Sequence, residues 1–315
     1  MDKYCFGVDL GGTSVKIGLF DTEGTVLEKW EIPTRKENNG SNILPDIANA
    51  ILGKLEEKKI GKDSITGVGI GVPGPVDDNG VVYKAVNLGW GVMNINEILG
   101  GLLGMPVKAG NDANVAALGE MWCGGGKGCS DMVLATLGTG VGGGIIVNGK
   151  MVTGSAGAAG EIGHIHIKDD EPDECGCGGH GCLEQYASAT GVVRLANRKL
   201  QASAQDSVLR AAKDRGVLSA KTVFDAVKKG DKLACEVAEE FGEYLGKGLA
   251  AIACVVNPEV FVLGGGVSKA GGILCEYVSK YYTKYVFHGC RNAQFKLATL
   301  GNDAGIYGAA KLVLE

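Results

Sequence analysis

The chain has 315 residues, 45% of them hydrophobic and 21% charged. Glycine contributes 53, far above its usual share of roughly 7%, yet 7 prolines and no Gly-X-Y period exclude a collagen-like or Pro/Gly-disordered chain. Lys and Arg number 31 against 36 Asp and Glu, and the net charge of −5 argues against a nucleic-acid or membrane-surface partner.

The length suits two domains, each large enough for its own core. Residues 1–5 carry no leader pattern, and no apolar run approaches the roughly 18 residues that span a bilayer, so a cytoplasmic protein is expected. There the Asn39-Gly40-Ser41 triplet is only a polar loop. Ten cysteines sharpen the point. Cys254 and Cys275 fall in apolar helical patterns as small hydrophobes, whereas Cys175, Cys177 and Cys182 crowd together, which in a reducing cytosol favours a metal site over disulfides.

In chain order, residues 4–10, 15–20 and 26–32 read as a three-stranded meander turning at Gly11-Gly12 and at 21–24. Ile47, Ile51 and Leu55 predict an amphipathic helix over 44–58, and an apolar strand over 65–72 ends at Pro73-Gly74. Residues 107–109 read as a strand edge and 113–122 as a helix. A second hairpin (strand 132–137, turn 138–142, strand 143–147) repeats the outline of the first and suggests internal duplication. The stretch 154–184, rich in Gly, Ala, His, Cys and acids, reads as an irregular functional loop. Helical patterns then cover about 189–200, 206–213, 222–229 and 231–256; a strand over 259–263 runs into Gly264-Gly265-Gly266, and a helix closes the chain from about 303 to 314. Strands and helices mixed in two similar halves, with no low-complexity linker, predict an α/β class with two domains meeting across a cleft.

Asp9-Leu10-Gly11-Gly12-Thr13-Ser14-Val15-Lys16 joins a tight turn, whose N–H groups can cradle phosphate oxygens, to the Thr13 hydroxyl and the Lys16 charge. Asp9, at the strand end, suits Mg²⁺ held through water. Gly138-Thr139-Gly140 opens a second turn of the same chemistry. Residues 138–143 and 69–74 both match G-x-G-x-x-G, but a strand and a loop follow them where a dinucleotide site needs a helix. A Walker loop fails as well, since no Gly-Lys pair is followed by Ser or Thr. Asn111-Asp112 precedes a helix, so these residues suit a plain N-cap; Asp112 equally suits a carboxylate that accepts a proton from a substrate hydroxyl.

His164, Cys175, Cys177 and Cys182 offer one imidazole and three thiolates. They make a closed tetrahedral Zn²⁺ site with no position left for a reacting water, hence a structural one. A zinc stapling this loop brings Glu161 and Glu184 together, and paired acids with Asn and His groups suit a hydroxyl-covered ligand, a sugar. His166, His180 and His288 have no such context.

Together Asp9–Lys16, Asn111–Glu120, Leu137–Gly144, Glu161–His164, Cys175–Glu184 and Gly264–Gly266 resemble, in order and across the whole chain, the ROK family of sugar kinases and repressors, most of all its bacterial ATP-dependent glucokinases. The resemblance implies the actin-like ATPase (ribonuclease H-like) fold, two α/β domains around a central cleft. The first would cover 1–112, with a C-terminal helix of about 303–315 packed back on it; the second, 113–302, would carry the zinc-bearing sugar loop. ATP and Mg²⁺ are implied at Asp9, Gly11, Gly12, Thr13, Lys16, Gly138, Thr139 and Gly140, with Gly265 and Gly266 near the adenosine. Gly74, Asn87, Asn111, Asp112, Glu161, His164 and Glu184 would bind the sugar, His164 using one ring nitrogen for zinc and the other for the sugar, and Asp112 would be the catalytic base. The implied activity is phosphorylation of a hexose at its C6 hydroxyl, glucose first; kinases for N-acetylmannosamine or fructose and a non-catalytic sugar sensor are the alternatives. Repressors of the family carry a winged helix-turn-helix ahead of this region, for which a strand starting at Tyr4 leaves no room. A homodimer is expected on the same resemblance.

Overall fold

A computed structural model describes residues 3–315. The chain separates into two compact units: the stretch up to Gly128 with Gly144–Gly160 and Leu300–Glu315, and Cys129–Gly143 with Glu161–Thr299.

The first unit is built on strands β1 (Tyr4–Leu10), β2 (Ser14–Asp21), β3 (Val26–Pro33), β4 (Ile65–Val72) and β5 (Val107–Asn111), in the order β3-β2-β1-β4-β5. The meander is antiparallel, while β4 runs parallel to both β1 and β5. Parallel neighbours need a crossover. Helix Ile43–Lys58 supplies the one before β4, and helix Ile95–Leu103 the one before β5.

Side chains alternate across this sheet with the period of two that extended backbone imposes. Phe6, Val8 and Leu10 of β1 and Val68, Ile70 and Val72 of β4 enter one core with Ile47, Ile51, Leu55, Leu99 and Leu103. The intervening residues are small. A Cβ on Gly7 would stand 1.9 Å from the carbonyl oxygen of Ile306, and one on Gly69 1.7 Å from that of Ala309. Helix Ala304–Leu314 therefore lies directly on the glycine face, with Ile306, Ala310 and Val313 packed against Cys5 and Phe20. Gly67 and Gly69 thus leave one face of the strand bare to admit this helix, while Gly71 faces Val115 of helix Asp112–Cys123.

A second sheet contains β6 (Met132–Leu137), β7 (Val141–Val147), β8 (Lys150–Met151), β9 (Val260–Gly264) and β10 (Gln294–Leu297), ordered β8-β7-β6-β9-β10. Strand β9 is parallel to both β6 and β10. The first sheet's order is repeated, so the duplication suggested by the two hairpins extends to all five strands. Two such sheets in one chain make the actin-like ATPase fold.

Several elements differ from the sequence reading, each for a physical reason. Strand β7 begins at Val141 rather than 143, because Val141 and Gly142 belong to the strand and not to the turn. A Cβ on Gly144 would meet Ala117 Cβ at 2.5 Å and the Ala113 carbonyl oxygen at 2.9 Å, so this glycine admits helix Asp112–Cys123. Helix Ile95–Leu103 was hidden by Gly100-Gly101, which break the helical pattern. Strand β10 is a four-residue edge strand with too little alternation to read, and helix Gly272–Tyr285 was recognised only around Cys275. Cys254, expected as a buried hydrophobe, is exposed on helix Lys232–Val256.

Candidate active site

In the first unit, parallel strands β1, β4 and β5 end side by side, Asp9 pairing with Gly71 and Val72 with Asn111. Their carboxyl ends carry Asp9, the Gly11–Thr13 turn, Gly74 and Asn111-Asp112, and the carboxyl ends of an α/β sheet are where ligands ordinarily bind. The Gly11 N–H donates to the Ser14 carbonyl at 3.0 Å and Thr34 Oγ1 to the Gly11 carbonyl at 2.7 Å, fixing the turn. Thr13 is exposed, and a Cβ at Gly12 would meet no described atom within 4 Å.

The Lys16 ammonium donates to the Asn302 carbonyl at 2.8 Å, beside the start of the C-terminal helix. Asp9 is there too: a Cβ on Gly305 would fall 2.6 Å from its Cγ. Burial pushes the Asp9 carboxyl up to about 6; Lys16 pulls it down, and Asp112 and Asp303 push it up again. A partly buried carboxylate short of positive charge is a fitting partner for a hydrated Mg²⁺.

The geometry divides the work between Asn111 and Asp112. Asn111 is the N-cap, with φ −62° and ψ 141°, and its Oδ1 accepts from the N–H groups of Ala113 and Asn114 at 3.0 and 3.1 Å. Its Nδ2 donates to the Gly74 carbonyl at 3.0 Å and to Asp112 Oδ1 at 3.1 Å. Both lone pairs and both amide hydrogens of Asn111 are thereby engaged, so a sugar hydroxyl at Asn111 must displace one of these partners. Asp112 is the first helical residue, exposed, with the Ala113 N–H also on its Oδ1 at 2.8 Å. Asn87 is exposed on the turn Val86–Leu88, anchored by buried Leu88 and Trp90.

In the second unit the donor atoms of His164, Cys175, Cys177 and Cys182 all lie within 4.8 Å of one another. Cys177 Sγ is 3.6 Å from Cys182 Sγ, and His164 Nδ1 is 3.8 Å from Cys175 Sγ. A tetrahedral zinc with bonds of about 2.3 Å to sulfur separates its thiolates by roughly 3.8 Å, whereas a disulfide needs about 2.05 Å. The donors are spaced for an ion. Burial pushes the Cys182 thiol up to about 12 and raises Cys175 as well, while the Gly179 N–H holds Cys177 below its ordinary value. An ion-pair clamp grips the same loop. Burial opposes the charge on Glu171, yet Arg198, the Tyr186 hydroxyl and Arg194 hold its carboxyl down at about 2.

Glu161 and His164 share one turn, the His164 N–H donating to the Glu161 carbonyl at 3.1 Å, and both are exposed. Glu184 is held on two sides. Its Oε2 accepts from the Val141 N–H at 2.9 Å, and its Oε1 lies 3.8 Å from Cys175 Sγ. A Cβ on Gly140 would fall 2.1 Å from that Oε2, so carboxylate and turn touch. Gly265 stands beside the same hairpin at φ +78°, where a Cβ would meet the Leu137 carbonyl oxygen at 2.5 Å. Next to it, a cavity of ≈ 120 Å³ is lined by Phe224, Gly266, Val267, Lys269 and Ala270.

The ROK family matches residues 5–315. The chain belongs to that family. It is 43% identical to the glucokinase of Halalkalibacterium halodurans over 316 residues, covering 100% of this chain and 96% of the relative. It is 36% identical to the glucokinase of Streptomyces coelicolor, covering 98% and 97%. The crystal structure of a ROK family glucokinase from Streptomyces griseus in complex with glucose and AMPPNP matches with a TM-score of 0.74 at 36% identity, covering 98% of each chain.

Within this ROK chain, then, one unit gathers Asp9, Gly11, Gly12, Thr13, Gly74, Asn111 and Asp112, while the other gathers the metal donors, Glu184, the Gly138–Gly140 turn and Gly265. The sequence reading missed the residues behind that second turn: the Ala189 N–H donates to the Gly138 carbonyl and Thr190 Oγ1 to the Thr139 carbonyl, each at 2.7 Å. Ser188-x-x-Gly191 marks a helix start, but nothing local says which turn that start will face. No helix among the described residues is long and apolar enough to cross a membrane.

Proposed function

We propose that the chain is an ATP-dependent glucokinase, transferring the γ-phosphoryl group of ATP to the C6 hydroxyl of glucose. The observation that carries this reading is the exposed Asp112 carboxylate, oriented by Asn111 beside an open glycine turn, in a chain 43% identical to a glucokinase along its whole length. Asp112 accepts the C6 proton as the oxygen attacks phosphorus. The N–H groups and hydroxyls of Gly11–Thr13 and Gly138–Gly140 hold the phosphates, and the adenosine lies against the cavity at Gly266. Asp9 would hold Mg²⁺ bound with ATP, which would neutralise phosphate charge, with Lys16 as a fixed positive charge close by. Gly74, Asn87, Glu161, His164 and Glu184 take the sugar hydroxyls, and Asn111 acts by aiming Asp112.

Zn²⁺ at His164, Cys175, Cys177 and Cys182 fixes the loop that carries Glu161 and Glu184; four protein donors leave it no catalytic position. A cytoplasmic location fits the ten free thiols, and a homodimer and a role in glycolytic glucose uptake into metabolism belong to the same reading. The test is ADP release across a hexose panel, with wild type and Asp112→Asn. Glucose should be the preferred substrate, and the variant should lose about 10²-fold or more in turnover with unchanged circular dichroism. Near-wild-type turnover in the variant would remove Asp112 as base. Equal rates with N-acetylmannosamine or fructose would remove glucose as the preferred sugar.

A further inference from the structure

We infer that Thr190 is a positioning residue for the turn Gly138–Gly140, its hydroxyl holding the turn from behind so that two successive N–H groups face the phosphate. The inference rests on the reading of that turn as a phosphate site.

Peptide planarity supplies the argument. In a trans peptide the C=O of one residue and the N–H of the next point in opposite directions. The Gly138 carbonyl accepts from the Ala189 N–H at 2.7 Å, so the Thr139 N–H points away from helix Ala189–Ala202. The Thr139 carbonyl accepts from Thr190 Oγ1 at 2.7 Å, so the Gly140 N–H does the same. Successive N–H groups aimed to one side form an anion-binding concavity. The next peptide is turned the other way. Its N–H, on Val141, donates to Glu184 Oε2 at 2.9 Å, and its carbonyl, on Gly140, accepts from the Gly138 N–H at 2.9 Å.

Of the groups behind the turn, the Thr190 hydroxyl is the one a substitution can remove without touching backbone. It is itself held in place, 2.9 Å from Ser188 Oγ, which caps the helix by accepting from the Gly191 N–H at 3.0 Å. Thr190 is exposed, so its hydroxyl is the feature at stake.

The experiment uses the full chain as wild type, Thr190→Val and Thr190→Ser, with AMPPNP affinity measured by calorimetry and KM measured for ATP and for glucose. Thr190→Val should weaken AMPPNP binding and raise KM for ATP by about 3- to 10-fold, the effect of one lost hydrogen bond. KM for glucose and the unfolding temperature should stay near wild type, and Thr190→Ser, which keeps the hydroxyl, should restore nucleotide binding. Unchanged AMPPNP affinity in Thr190→Val, or equal weakening in Thr190→Ser, overturns the inference while the phosphate reading stands. Wild-type protein that binds no AMPPNP overturns the phosphate reading and the inference with it.

Discussion

Asp9→Asn should make the nucleotide-free protein more stable at neutral pH, although it removes a group that the proposed chemistry needs. Burial, reinforced by Asp112 and Asp303, raises the Asp9 carboxyl from 3.8 to about 6. With a raised folded-state value, the native chain binds more protons than the unfolded chain between those limits, so stability falls as pH rises through that window. At 1.36 kcal/mol per pH unit the cost is bounded at about 3 kcal/mol above pH 7, and partial exposure lowers it to about 1–2 kcal/mol. The assay is favourable. All three tryptophans, Trp30, Trp90 and Trp122, belong to the same unit as Asp9, so urea unfolding followed by fluorescence reports on that unit. At pH 7.5 Asp9→Asn should unfold at higher urea than wild type, and the gap should narrow to within about 0.5 kcal/mol near pH 4. Adding Mg²⁺ and AMPPNP should reverse the order, because only the carboxylate gains from the ion. A variant no more stable than wild type at pH 7.5, or a gap that ignores pH, refutes the argument.

Other consequences follow from single contacts. Glu171→Gln leaves Arg194 and Arg198 without their buried partner and should destabilise the protein by about 3 kcal/mol at pH 7, read by thermal unfolding. Because the Glu171 carboxyl is held at about 2, well below its ordinary 4.5, the stability it confers is present above 4.5 and fades as pH falls toward 2; the variant should lack that dependence. Gly265→Ala forces a left-handed φ of +78° on a side chain that meets the Leu137 backbone at 2.5 Å, and should cost about 2 kcal/mol together with nucleotide affinity. Extracting the metal with a chelator should raise amide exchange across 161–184 while β6 and β9 stay protected; uniform exchange would show that the metal holds more than its loop.

What the sequence disclosed was local. The meander and the second hairpin could be read because alternation and glycine turns act over a few residues, and the His164, Cys175, Cys177 and Cys182 cluster because these residues crowd one loop. Long-range partners were hidden. The Lys16 ammonium meets the Asn302 carbonyl 286 positions away, a partner that the motif around it does not reveal. That helix Ala304–Leu314 lies on Gly67 and Gly69, through Val313 and Ala309, is not visible in the local glycine pattern. Asn111 and Asp112 are both good caps by residue type, and the choice was made by backbone angles at one position, which composition does not reveal.

The repeated strand order also explains why one chain can hold two matching glycine turns and one proposed base. Position by position, the turn after β1 (Gly11–Thr13) answers to the turn after β6 (Gly138–Gly140), and the end of β4 (Pro73-Gly74) to the end of β9 (Gly264-Gly265). The fifth strands diverge. Strand β5 runs straight into Asn111-Asp112 and a twelve-residue helix whose N-terminus favours a carboxylate, whereas six residues separate β10 from helix Ala304–Leu314. The connections diverge as well: a single long helix leads into β4, but the chain leading into β9 includes the irregular stretch holding His164 and the three cysteines. A long loop without a core of its own is costly to order, and this one is held by the buried Glu171 with its two arginines and would be held again by an ion at the four Cys/His donors. The two sheets share equivalent glycine turns, whereas Asn111-Asp112 stands at the end of the fifth strand of the first and the Cys/His loop precedes the fourth strand of the second, which is why neither half alone carries the full set of proposed groups.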